Sequence, residues 1–189
     1  KGSSKCGIVD PGGQGEQLAQ WLKDKGLEPE AILLTHGHFD HILGIPGLRA
    51  VWPGLPIYCH PADFGTGETT SLFGQPFPTV SSFENVIPYR EGDKVAVAGV
   101  EVEVLETPGH TPGSVTLRAG DALFTGDTLF AGSMGRTDFE GGDERAMMAS
   151  LRRLAELEGD YQVLPGHEEQ TTLERERNTN YCIHMAMRG

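Results

Sequence analysis

The feature that most constrains this chain is the segment His36-Gly37-His38-Phe39-Asp40-His41, which directly follows the apolar run Ala31 to Thr35. Three imidazoles and a carboxylate within six residues are costly to crowd together unless a positive charge sits between them. Neutral imidazole and carboxylate are the ligands that Zn, Mn and Fe ions accept. The preceding run has strand length, so the fold must place the segment in a loop at a strand end. His36 and His38, two residues apart, can converge on one ion from an extended loop. Asp40 and His41 then point to a second position as the chain turns into a helix. That spacing indicates two metals.

Three further residues stand in matching contexts. His110 follows the strand expected to end at Leu105, through Glu106-Thr107-Pro108-Gly109. Asp127 follows the strand Ala122 to Thr125 through Gly126, and His167 follows Tyr161 to Leu164 through Pro165-Gly166. Each is preceded by a glycine, which lets backbone approach closely, and each lies past the carboxyl end of an apolar strand. Open α/β sheets bind ligands at that edge. Five of the seven histidines are accounted for in this way; His60 and His184 lack the context and read as ordinary side chains.

The remaining pattern predicts strands with helices interspersed, an α/β or α+β domain. Gly7 to Asp10 reads as a strand closed by the turn Asp10-Pro11-Gly12-Gly13. Glu16 to Lys25 reads as a helix with Leu18, Ala19 and Leu22 on one face and Gly26 past its end. Lys94 to Ala98 and Val100 to Leu105 form one hairpin through Gly99, and Val115 to Arg118 with Ala122 to Thr125 a second. Asp143 caps a helix running to Leu157, with Met147, Met148, Leu151, Leu154 and Ala155 inward. The stretch His60 to Tyr89 reads as irregular, and its Phe64, Phe73, Phe77 and Phe83 as lid or core packing.

With 189 residues, the chain suits one domain and can bury a sizeable core without disulfides. The net charge of −12 disfavours a nucleic-acid backbone or an anionic membrane as partner. No run reaches the roughly 18 apolar residues of a membrane-spanning helix. Three widely spaced cysteines, Cys6, Cys59 and Cys182, suit a reduced compartment and buried thiols, so a cytoplasmic location is expected. Residue 1 is Lys, which leaves the start of the chain, and any leader peptide, open.

The order His36-x-His38-x-Asp40-His41, then His110, Asp127 and His167, resembles the metallo-β-lactamase-fold hydrolases. The resemblance runs from Ile8-Val9-Asp10-Pro11-Gly12-Gly13 through Thr107-Pro108-Gly109-His110-Thr111-Pro112-Gly113 to Leu164-Pro165-Gly166-His167. It implies one αβ/βα four-layer sandwich over residues 1–189, with two mixed β-sheets flanked by helices and with one or two leading strands missing. Within that family the chain is similar to short, single-domain relatives of glyoxalase II (hydroxyacylglutathione hydrolase). The resemblance then implies that His36, His38 and His110 hold one metal, that Asp40, His41 and His167 hold another, and that Asp127 bridges. Zinc is the first expectation, with iron or manganese fitting the same ligands. Asp40 and Asp127 are the expected catalytic carboxylates, tuning a metal-bridging hydroxide that attacks a thioester carbonyl.

Arg136, within Gly135-Arg136-Thr137-Asp138-Phe139, matches a region where glyoxalase II contacts substrate. It is the expected anion binder, with a surface ion pair as the plain alternative. Two departures weaken the glutathione part of the likeness. Only Glu168 to Gly189 follow His167, too short for the helical domain of full-length glyoxalase II, and Glu169 stands where a glutathione-contacting Tyr is usual. The expected substrate is S-D-lactoylglutathione or a related small thioester or ester. The rivals are a mononuclear-iron persulfide dioxygenase, a lactonase or β-lactamase of the same fold, and a non-catalytic metal-binding module.

Overall fold

The computed structural model describes residues 4–65 and 76–189. The chain first lays down β1 (Lys5–Val9), α1 (Gly15–Asp24) and β2 (Glu28–Leu33). The short helices α2 (Phe39–Ile42) and α3 (Ile45–Val51) then lead to β3 (Ile57–Cys59) and β4 (Val86–Pro88). These four strands pair in the order β1-β2-β3-β4, and every pairing is parallel. The sheet expected to be mixed is thus parallel throughout its described residues.

A second sheet takes the rest: β5 (Lys94–Val97), β6 (Val100–Glu106), β7 (Val115–Ala119), β8 (Ala122–Gly126), then β11 (Gln162–Pro165) and β12 (Thr171–Thr172). Between them lie the two-stranded β9 (Leu129–Phe130) and β10 (Ser133–Met134), and α4 (Glu144–Ala155). The order β12-β11-β8-β7-β6-β5 is mixed, with β11 and β8 parallel and the other pairs antiparallel. The chain closes on α5 (Leu173–Thr179) and α6 (Tyr181–Ala186).

Strand alternation assigns the layers, because neighbouring side chains face opposite sides of a sheet. On β2 and just past it, Ile32 and Leu34 pack with Leu22, Ile45 and Leu48 of α1 and α3. Ala31 and Leu33 turn the other way and join Tyr89, just past β4, and Val102, Val104, Val115 and Leu117 of the second sheet. Leu123 and Val163 then face Met147, Leu151, Leu154, Leu173 and Ile183 on α4 to α6. The result is helix, sheet, sheet, helix, as expected.

Local chemistry sets the boundaries. Asp10 adopts a left-handed φ of 45°, which ends β1. The Thr35 N–H leaves the ladder for the Asp10 carboxylate at 2.7 Å, so β2 stops before the threonine expected to finish it. Asp143 caps α4 by accepting from the Ala146 N–H at 2.9 Å, as its residue type predicts. That helix ends two residues early because the Leu157 N–H bonds back three residues, to Leu154, at 3.2 Å. The stretch read as irregular contains β4, a three-residue edge strand ending in Pro88, too short to leave a period-two signal. Phe64 and Phe83 pack against the first core, Phe77 stacks on Phe39 at 4.1 Å, and Phe73 lies outside the described residues.

Candidate metal centre

All seven residues singled out as ligands come together where the two sheets share an edge. A hydrogen bond of 2.8 Å from the Val115 N–H to the Thr35 carbonyl ties the start of β7 to the His36 loop. The fully buried Asp63 holds the other side of that join. It accepts from the Gly37 N–H at 3.0 Å, the Thr111 hydroxyl at 2.6 Å and the Gly113 N–H at 2.8 Å. The loops carrying His36, His38 and His110 are thereby fixed to one another through a single carboxylate.

Two groups of ligand atoms result. His36, His38 and His110 form one, and Asp40, His41 and His167 the other, with the ligand atoms of each group within 4.8 Å of one another. Nδ1 of His38 faces Nε2 of His110 at 2.8 Å. Nε2 of His41 faces Nε2 of His167 at 3.4 Å, and the latter lies 3.4 Å from Oδ2 of Asp40. Asp127 stands between the groups: Oδ1 is 3.4 Å from Nε2 of His41, and Oδ2 is 3.4 Å from Nε2 of His110 and 3.5 Å from that of His167. The first group is more enclosed. Side chains of Asp40 and His167 are 43% and 47% exposed, against 3% for His110.

Glycines make the approach possible. A Cβ on Gly166 would fall 2.5 Å from Oδ1 of Asp127 and 2.6 Å from Cε1 of His41, inside the cradle itself. Gly126, at φ 48°, would put one 2.2 Å from the Thr35 hydroxyl. Both positions require glycine for space, and Gly126 also for conformation.

The electrostatics are those of a site built for cations. Burial, then the neighbouring imidazoles of His41, His110 and His38, push the His36 pKa well below its ordinary value. Burial and then His110 lower that of His38. Burial opposes protonation of His41 too, but Asp10 and Asp127 overcome it and raise the pKa to about 10. Asp127 resists its own burial because His41, above all, holds its carboxyl below the usual range. Among the described residues, Nε2 of His36 and Oδ1 of Asp127 are buried without a hydrogen-bond partner. Orphaned acceptors amid crowded imidazoles are an unfavourable arrangement that a divalent cation with N/O ligands relieves. The residues fit such an ion.

Other expected features fall differently. The Arg136 guanidinium is taken by Asp138 through two bonds of 2.7 Å and lies 3.8 Å over the Phe139 ring. The Arg136 carbonyl also reaches the site, accepting from Nδ1 of His110 at 2.7 Å. His60 is structural, bonding Glu106 at 3.0 Å and the Ala62 N–H at 3.2 Å. Asp10 and Asp63 were not singled out as site residues. Asp10 had a signal in its Pro-Gly-Gly turn beside an apolar strand; Asp63 had none, because its partners are more than 25 residues away.

The family model described as the metallo-beta-lactamase superfamily matches residues 1–167. The chain belongs to this superfamily. The probable metallo-hydrolase YqgX of Bacillus subtilis is 37% identical, over 93% of this chain and 86% of that protein. The hydroxyacylglutathione hydrolase GloC of Haemophilus influenzae is 33% identical, over 92% of this chain and 84% of its own length. Among solved structures, the BLEG-1 B3 metallo-beta-lactamase superposes with a TM-score of 0.83 at 34% identity, covering 95% of this chain and 89% of that one. TTHA1623 in a di-iron-bound form gives 0.80 at 39%, covering 92% and 87%. ETHE1 from Myxococcus xanthus gives 0.77 at 28%, covering 99% and 81%. Metal-dependent hydrolysis is the chemistry of this superfamily, and the chain carries His-rich clusters that could hold the metal.

Proposed function

We propose that the chain is a dinuclear metal-dependent thioesterase of the glyoxalase II kind, acting on S-D-lactoylglutathione or a related thioester. The observation that carries this reading is the placement of Asp127 between two complete ligand groups, within 3.5 Å of ligand nitrogens of both. His36, His38 and His110 would hold one divalent cation, and Asp40, His41 and His167 the second, with Asp127 shared. Zinc comes first; the di-iron form of TTHA1623 supports iron as an alternative. Cations bound there polarise a carbonyl and acidify water.

The chain's own residues do the rest. Asp127 and Asp40 keep two carboxylates at the cradle, able to accept a proton from water and to orient it. The buried floor of His36, His41 and His110 excludes bulk solvent, and the exposed side at Asp40 and His167 admits substrate. A thiolate leaves readily, so no separate acid has to protonate it. Arg136 is offered to a substrate carboxylate by exchange with Asp138, since an exposed ion pair contributes little and is easily traded. Three free thiols agree with a cytoplasmic setting.

The reading is supported by the GloC relative; the ETHE1 neighbour keeps the persulfide dioxygenase as the alternative. The BLEG-1 likeness favours a β-lactam as the second substrate class. Release of thiol from S-lactoylglutathione by the zinc-loaded protein tests the assignment. Saturable turnover is expected; turnover of a cephalosporin alone, or oxygen uptake with glutathione persulfide, would overturn it.

A further inference from the structure

We propose that Asp10 is a positioning residue shared by both cation positions, setting the proton of His41 directly and that of His36 through the Thr35 hydroxyl. The inference rests on the ligand assignment above but not on the substrate. Oδ1 of Asp10 accepts from the Thr35 N–H at 2.7 Å, and Oδ2 accepts from the Thr35 hydroxyl at 2.6 Å. That hydroxyl has one proton, and it is spent on Asp10. At 3.1 Å from Nδ1 of His36, the Thr35 oxygen can therefore only accept. His36 must carry its proton on Nδ1, which leaves a lone pair on Nε2, the buried atom without a partner.

The same Oδ2 lies 3.0 Å from Nδ1 of His41, so that nitrogen donates as well. Nε2 of His41 is left facing Asp127 and His167. One carboxylate thus dictates which nitrogen two imidazoles present, one in each group. Asp127 joins the two positions as a common ligand; Asp10 joins them from behind as a common orienter. Asp10 also lies close enough to His36 and His41 to be grouped with them as a ligand, but both its oxygens are already committed. Its own placement is fixed by the left-handed φ of 45° and by its N–H, bonded to the Leu33 carbonyl at 3.1 Å. A role confined to ending the strand would need only the bond to the Thr35 N–H.

Two measurements on the whole chain test this. In metal-free, ¹⁵N-labelled protein, long-range ¹H–¹⁵N correlation should show His36 protonated at Nδ1, with that signature lost in Thr35→Val and kept in Thr35→Ser. Zinc competition against a chromophoric chelator should show Asp10→Asn weakening both zinc positions by about 10- to 100-fold, the usual effect of losing such a partner. Thr35→Val should weaken one position and spare the other, whereas Thr35→Ser should match wild type. Should Asp10→Asn not fold, the Thr35 pair carries the test. A His36 proton on Nε2, or a Thr35→Val that changes both positions equally or neither, overturns the proposal. Absent thioester turnover with this zinc pattern intact would remove only the substrate; a wild-type chain that takes up no zinc would remove the ligand assignment and this proposal with it.

Discussion

At the scale of single residues, the proposed chemistry centres on Asp127. Replacing it with Ala removes the carboxylate that stands between the groups and leaves Nε2 of His41, His110 and His167 without it. Turnover of the zinc-loaded enzyme should fall by at least the ~100-fold that loss of an outer partner can cost, and bound metal measured by atomic emission should drop below two per chain. Near-normal turnover would remove Asp127 from the mechanism. Cys59 tests the interior instead. It is fully buried, and burial, followed by Asp63 and Asp10, pushes its thiol pKa well up. A thiol titration with an aromatic disulfide should therefore find Cys59 inert at pH 8 until denaturant is added, while Cys6 and Cys182, each partly exposed, react first.

The two clusters were legible in the sequence because a crowded His-Asp segment has few structural reasons to exist. Their supporting partners were not. Asp63 acts through bonds to residues 26, 48 and 50 positions away, and no local pattern records such a bond. Arg136 was legible as a residue type but not in its engagement, since a lone Arg beside an Asp reads alike whether it waits for substrate or is already paired.

At the scale of elements, the long periodic segments declared themselves and the short ones did not. Both hairpins and α4 follow from alternation, a Gly turn and an Asp cap. The three-residue strands β3 and β4 are strands because β2 supplies β3 with a parallel neighbour and β3 supplies one to β4, and that information is absent from their own residues. Two substitutions test how elements present the site. Gly166→Ala, just past β11, would force a methyl into the cradle beside Asp127 and His41; zinc binding should weaken severely while far-ultraviolet circular dichroism stays native. Asp143→Ala removes the cap of α4 and should cost about 1 kcal/mol of unfolding free energy, read by urea denaturation. Because the Asp143 N–H also reaches the Gly109 carbonyl at 2.8 Å, a loss well beyond that would show that the helix start braces the His110 loop as well.

At the scale of the whole molecule, the cation cradle belongs to neither sheet alone. His36 to His41 follow the first sheet, whereas His110, Asp127 and His167 follow strands of the second. A cation that binds only the assembled pair must stabilise the assembled state. Saturating zinc at 100 times its dissociation constant should add about 2.7 kcal/mol, seen as a higher midpoint in thermal denaturation, and a chelator should reverse it. An unchanged midpoint would mean that the unfolded chain holds the metal equally well.

The division of ligands between distant stretches also bears on how the protein is made. A chain synthesised only as far as residue 100 carries the His36 segment and lacks His110, Asp127 and His167, which complete the two groups. On the proposed assignment, such a chain has neither group of the pair complete. The full pair then forms only in molecules whose two halves have closed on one another.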